Sequence, residues 1–330
     1  MYMLRIGWEK AGVGSDAEWI RLAERCAASV CLIPVRHAAG EKPGTYAERL
    51  AQAQKSISGM RGWYIRETPN YIFATNQRNR SDMRRLQNDL ELARELFKRY
   101  FPPAAERCGV GVVKLFAERG EYLRYVGQNL QWTAGIWNSG VRELIVSPLG
   151  GKADDRIAEK HLREVALHEG FHQYIFYAAN EIDPALWFNE GCAQFFETSQ
   201  LRQGEAGVLD KNTESKLAGA AQAAGTDLKR FVSLDHKGFY SDGEREHNYA
   251  LAHALCYYLL RGAPAMGESR FAAIPRRYIE ALRRSRNLDA ARSEAFKGID
   301  TRELAAKLKA FWRDRQQIQR AKRYRGGVFR

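Results

Sequence analysis

From Trp63 onward the chain alternates between two kinds of hydrophobic pattern. Trp63-Tyr64-Ile65-Arg66-Glu67 and Tyr71-Ile72-Phe73-Ala74-Thr75 flank Thr68-Pro69-Asn70, which predicts two strands around a turn. Ser81 then heads a segment whose apolar positions are Met83, Leu86, Leu90, Ala93 and Phe97. That 3-4-3-4 spacing predicts one core-facing helical stripe, capped at Ser81 and ended by Pro102-Pro103. Val110–Phe116 and Val141–Val146 read as further strands, so the first half is a layer of strands with a helix on one side.

After Gly150-Gly151 the period becomes helical. Helices are predicted near Asp154–Ala178, Asn189–Arg202, Glu244–Arg261, Glu268–Arg286 and Asp300–Arg320, the last opening with a capping box of Asp300 and Glu303. Ahead of Trp63 the pattern is weak, with one helix predicted over Asp16–Ala28 and one short apolar run, Val30–Val35. Four regions follow: an N-terminal extension (1–60), an α+β lobe (61–150), a helical lobe (151–262) and basic C-terminal helices with a tail (263–330). The fold class is α+β, a strand-rich N-terminal lobe with one capped helix followed by a mainly helical lobe.

Of the 330 residues 45% are hydrophobic and 28% charged, the balance of a globular protein. The longest apolar stretch, Ala250–Leu260, is interrupted by His253 and falls short of the ~18 residues a membrane span needs. The first ten residues reach Glu9 before any continuous apolar segment of ~7 residues, which is not a secretory signal; the expectation is either a cytoplasmic protein or a chain that begins after a removed leader. Cys26, Cys31, Cys108, Cys192 and Cys256 are too scattered for a disulfide framework. The net charge of +13 is concentrated at the end, where residues 276–330 hold 17 basic and 6 acidic side chains. A stretch of that kind can attract nucleic acid or an anionic surface, although it contains no recognised nucleic-acid module.

The chemistry centres on His168-Glu169-Gly170-Phe171-His172, an H-E-x-x-H pentapeptide in a segment with helical periodicity. Histidines four apart rise only ~6 Å along a helix and share a face, so both imidazoles can converge on one metal ion. Glu169 projects at the adjacent angle, where it can act as general base without ligating the ion. His161 precedes His168 by seven residues, a rise of ~10.5 Å that keeps the two off one ion. A catalytic zinc site needs a third protein ligand and one open position. The segment Leu186-Trp187-Phe188-Asn189-Glu190-Gly191 supplies Glu190, with room before it for the motif helix to end and a second helix to return. Gly191 and Ala193 are small, as expected where two helices approach around an ion, and Glu197 shares the face of Glu190 as a hydrogen-bond partner for a ligand histidine.

His168-Glu169-x-x-His172 followed by Trp187-Phe188-Asn189-Glu190-Gly191-x-Ala193 resembles the gluzincin metallopeptidases, in which that glutamate is the third zinc ligand. From roughly Trp63 to Trp312 the layout is similar to the bacterial peptidase-MA-like group, in particular the family called domain of unknown function 1570. The resemblance implies a zincin-like fold, one Zn2+ ion on His168, His172 and Glu190, and export from the cell. It also implies a tyrosine or histidine that stabilises the oxyanion; by position this is Tyr249, with His247 and Tyr240 behind it. The classical aminopeptidases of the superfamily carry Gly-x-Met-Glu-Asn, whereas Gly135-Ile136-Trp137-Asn138-Ser139-Gly140 lacks that glutamate, which points away from aminopeptidase specificity. The strand at Glu143–Ser147 is expected to pair with an extended peptide instead.

The expected function is therefore a zinc-dependent, endopeptidase-like hydrolase that cleaves a peptide or protein substrate with a metal-activated water and Glu169 as base. The alternative is a catalytically inactive scaffold that binds nucleic acid or an anionic surface through the basic C-terminal helices.

Overall fold

A computed structural model describes residues 45–103, 109–128, 133–147, 155–223 and 227–324. The predicted helix Asp16–Ala28, the apolar run Val30–Val35 and Cys26, Cys31 and Cys108 lie outside the described residues. In chain order the elements are α1 (Tyr46–Ser56), β1 (Tyr64–Glu67), β2 (Tyr71–Thr75), α2 (Arg80–Tyr100), β3 (Gly111–Leu115), α3 (Arg119–Val126), β4 (Gly135–Asn138) and β5 (Glu143–Val146). There follow α4 (Asp155–Ala178), α5 (Leu186–Glu197), α6 (Lys211–Ala223), α7 (Arg245–Tyr257), α8 (Ile274–Ser285), α9 (Leu288–Ala295), α10 (Thr301–Arg313) and α11 (Arg315–Arg323).

The five strands form one mixed sheet in the order β1-β2-β3-β5-β4, parallel at its centre and antiparallel at both edges. Because side chains alternate along a strand, each strand feeds two cores. Tyr71, Phe73, Val113, Leu115, Leu144 and Val146 pack on Met83, Leu86 and Leu90 of α2 and Ala166 of α4. On the opposite face Ile72 and Val112 meet Ala53 of α1, while Phe116 and Ile145 meet Tyr122 of α3. Helices thus cover both faces, not one as the periodicity suggested, and α1 brings part of the expected N-terminal extension under the sheet.

Two details of the strand–helix reading change. The cap of α2 is Asn79, whose Oδ1 accepts from Ser81 N and Asp82 N, so Ser81 lies inside the helix. The Glu143–Val146 strand, expected to receive a peptide, is interior: β3 pairs with it on one side and β4 on the other. The edges of the sheet are β1 and, on the side next to β5, β4.

Beyond the sheet the helices enclose an aromatic core that includes Phe97, Phe171, Phe188, Phe196, Tyr257 and Trp312. Two predicted helices are broken in the folded chain. Ser269–Ala272 stops before Ile274–Ser285, because Pro275 donates no N–H and can sit only in the first turn of a new helix. Asp314 takes extended geometry and caps α11, its Oδ1 accepting from Gln316 N and Gln317 N. The predicted cap at Asp300 holds for α10, whereas Glu303 turns to Arg270 instead of closing a capping box.

At the centre of the sheet, Lys114 is wholly buried and its Nζ lies 3.6 Å from Glu143, with further contacts to Ser56 O, Ser56 Oγ and Tyr125 Oη. Burial pushes the Lys114 ammonium pKa down against the pull of Glu143. Replacing Lys114 by Met leaves the buried carboxylate uncompensated, and such losses run to about 3–5 kcal/mol. We expect urea unfolding of K114M to show a loss of that order and K114M/E143L to recover most of it.

Candidate metal centre

Two helices supply the candidate site, and the sheet edge supplies its rim. α4 presents His168, Glu169 and His172, spaced so that the two histidines lie one turn apart, with ring centroids separated by 4.8 Å. α5 returns after a turn and presents Asn189, Glu190 and Glu197. One ligand atom from each of His168, His172 and Glu190 falls within 4.8 Å of the others. Glu190 Oε2 stands 3.4 Å from His168 Nε2 and 3.7 Å from His172 Nε2, so the three predicted ligands are brought together.

What lies behind each ligand decides which atoms face inward. His168 Nδ1 is 3.0 Å from Glu197 Oε2, and His172 Nδ1 is 2.9 Å from Asn189 Oδ1. Both partners accept hydrogen bonds, which favours the proton on Nδ1 and leaves each Nε2 with a lone pair directed at Glu190. Glu190 Oε1 accepts from the Tyr240 hydroxyl at 2.7 Å, while its Oε2 is buried with no hydrogen-bond partner among the described residues. Two imidazole lone pairs and an orphaned carboxylate oxygen, converging and largely buried, form a donor set that could hold a metal ion. Glu197 thus takes the part expected of it. Asn189 does the same for His172; it lay in the motif, but an asparagine before a ligand carries no mark in sequence of which way its amide turns.

The electrostatics agree with a site short of positive charge. Burial works against the charge of Glu190, but the proximity of His172 and then His168 brings its pKa down to about 2. Burial also disfavours the His168 cation, yet Glu190 and Glu197 outweigh it and hold that imidazole well above the ordinary value. Without a cation, then, a proton on His168 sits between two carboxylates, and a metal ion would take its place. Burial raises the Glu169 carboxyl above its usual range despite the pull of both histidines.

Glu169 is the one polar residue of the pentapeptide that turns away from the ligand cluster. Its Oε2 accepts from the backbone N–H of Trp137 on β4 at 2.7 Å. β4 can come this close because of Gly135, where a Cβ would stand 2.6 Å from Val165 Cγ1 on α4. This four-residue edge strand was not predicted, since Gly135 and Asn138 are weak strand formers and its pairing with β5 decides it.

The three oxyanion candidates separate in space. Tyr240 touches the ligand Glu190, and Tyr249 stands one place further out, its hydroxyl 3.5 Å from that of Tyr240. Burial and then Glu190 push the Tyr240 phenol pKa up, so it stays a proton donor. His247 lies two residues from Tyr249 on α7, roughly 200° around the helix. His161 is half-buried one side of Glu197 and adds to the field that lowers that carboxyl's pKa. His253, also facing Glu197 from α7, is buried and has its pKa lowered to about 4 by desolvation.

Gly191 has a different task from the one its size suggested. A Cβ there would meet Ala252 O at 2.4 Å and Cys256 Sγ at 2.7 Å, so the close approach is between α5 and α7, not between the two ligand helices. Cys192 and Cys256 are free buried thiols with their sulfurs 3.6 Å apart.

The sequence profile described as "Protein of unknown function (DUF1570)" matches residues 164–267, about a third of the chain. The matched region contains the pentapeptide, Glu190, Glu197, Tyr240 and Tyr249. No curated protein matches the chain.

Two outcomes follow from this geometry. Glu197→Gln is expected to lower zinc affinity about 10–100-fold without removing a ligand, measured by competition with a chromophoric chelator. His253 is neutral in the fold but protonates near 6.5 once unfolded, so its contribution is present at neutral pH and is lost as pH falls toward 4. Urea titrations at pH 7 and pH 5 should show about 2 kcal/mol of acid destabilisation that His253→Leu removes.

Proposed function

We propose that this chain is a zinc-dependent peptidase of zincin-like fold and gluzincin type, acting on internal bonds of a peptide or protein. The observation that carries the reading is the convergence of His168 Nε2, His172 Nε2 and Glu190 Oε2 while both Nδ1 atoms are engaged from behind. A bound zinc ion supplies Lewis acidity, which acidifies a water and polarises the scissile carbonyl.

The remaining steps belong to residues of the chain. Glu169, with its pKa raised by burial, accepts the proton of the attacking water and returns it to the leaving amine. Tyr240 is the donor nearest the ligand cluster and stabilises the charge that develops on the carbonyl oxygen; Tyr249 supports it from behind. An extended substrate can add to the outer edge of β4 through main-chain hydrogen bonds, the role first expected of the interior strand β5. That edge passes Glu169 at Trp137, which would place the peptide across the ligand cluster. Asn138 stands where the aminopeptidases carry the glutamate that binds an amino terminus, in keeping with cleavage away from chain ends.

The first test is elemental analysis of the wild type beside Glu190→Ala: about one zinc per chain is expected, with a clear loss in the variant. Glu169→Gln should keep its zinc and lose turnover of a peptide library; retained turnover would sink the mechanism. Tyr240→Phe should lower kcat about 100-fold with KM little changed, and Tyr249→Phe by much less. Absence of zinc after reconstitution at neutral pH would leave the metal-free scaffold as the reading.

A further inference from the structure

The basic C-terminus is not an evenly charged surface. α11 buries Ile318 and Ala321 and is pinned by Arg261, whose guanidinium donates to Lys322 O at 3.1 Å. On its other side Arg315, Gln316, Gln319, Arg320 and Arg323 fall within an arc of about 140° at 100° per residue. This arc and Tyr324 line an open hollow of about 840 Å³.

The opposite wall of the hollow comes from the end of α7. There the helix widens into a π-helical turn, Tyr258–Gly262, and Pro264 follows. A proline cannot donate to the carbonyl four residues back and its ring collides with it, so the chain loosens and turns away. Gly267 completes the reversal at φ +75°, with nothing within 4 Å of where a Cβ would lie. The recess is thus built by the backbone and not left by a missing side chain.

Its charge is unbalanced. Among the described residues no carboxylate lines it, and the side chains of Arg315, Arg320 and Arg323 take part in no ion pair or hydrogen bond. Other arginines and lysines nearby are engaged, as Lys322 is with Glu214 and Arg270 with Glu303. Three guanidinium groups over a helical rise of about 12 Å exceed what one carboxylate can satisfy. The volume lies in the range of small-ligand sites, and a single tyrosine gives no track of stacking platforms for a nucleic-acid strand. We infer that this hollow binds a compact ligand bearing two or more adjacent phosphate groups, held by forked hydrogen bonds from Arg315, Arg320 and Arg323. None of these residues belongs to the metal cluster, so the site stands whether or not the chain is a peptidase.

Titration calorimetry of the full chain with sodium tripolyphosphate tests it. Binding in the micromolar range is expected, weakening as salt rises. R320A and R323A should each weaken it about tenfold and R320K by an intermediate factor, because lysine keeps the charge and loses the fork. Unchanged melting curves would show that the variants fold. ATP binding as tightly as tripolyphosphate identifies the phosphate chain as the feature recognised. No binding at about 1 mM tripolyphosphate in low salt, or equal binding by R315A/R320A/R323A, overturns the site. A short single-stranded oligonucleotide that binds more than about tenfold tighter than tripolyphosphate overturns the compact ligand in favour of a strand.

Discussion

Ligand atoms of two imidazoles and a carboxylate are kept within 4.8 Å of one another, and this arrangement rests on the contact between α4 and α5. The helices meet through stacked rings, Phe171 on Phe196 with centroids 5.0 Å apart, and Phe97 and Phe101 from α2 and its end close around them. That aromatic layer is rigid because each ring is held at edge or face by several others. It fixes the ligand residues on one side of the helix pair, while Glu197 and Asn189 fix the rotation of the rings themselves. The apolar contact determines where the backbone lies, and the polar contacts determine which nitrogen faces in.

The sheet serves this pair in a less direct way. Its centre is buried on both faces and carries the Lys114–Glu143 pair. Its outermost strand is narrow enough, at Gly135, to lie against α4 and offer a backbone N–H to Glu169. An edge strand ordinarily has to be protected from pairing with other chains. Here the outer edge of β4 runs beside Glu169, to which Trp137 donates its backbone N–H.

Much of this was legible in the residues. The 3-4 spacing of Met83 to Phe97 located α2, and the pentapeptide with the Trp187–Glu190 segment pointed to the three residues that the fold brings together, because histidine spacing on a helix is a matter of fixed geometry. What stayed hidden depended on tertiary contacts. β4 exists because β5 pairs with it. Asp314 looks like one more solvated acid until it caps a helix. Which tyrosine reaches Glu190 turns on the placement of Tyr240 in a loop ahead of α7, where no periodicity guides the eye. Of the two helices over the sheet's second face, α1 went unseen for a similar reason, since its apolar contribution to the core is only Leu50 and Ala53.

Gly191 acts as a gauge for the whole assembly. With hydrogen as its side chain, α5 rests against the main chain of α7 at Ala252, and the two helices sit at the smallest separation that atoms permit. Any larger residue would act as a shim of nearly an ångström, judged from a 2.4 Å approach against ordinary contact of about 3.4 Å. Metal–ligand distances tolerate about 0.2 Å. Glu190 rides on one of these helices, and Tyr249 on the other stands behind the tyrosine that touches it. One missing methyl group therefore sets the calibre of the site from its far side, through residues outside the His168–His172–Glu190 cluster.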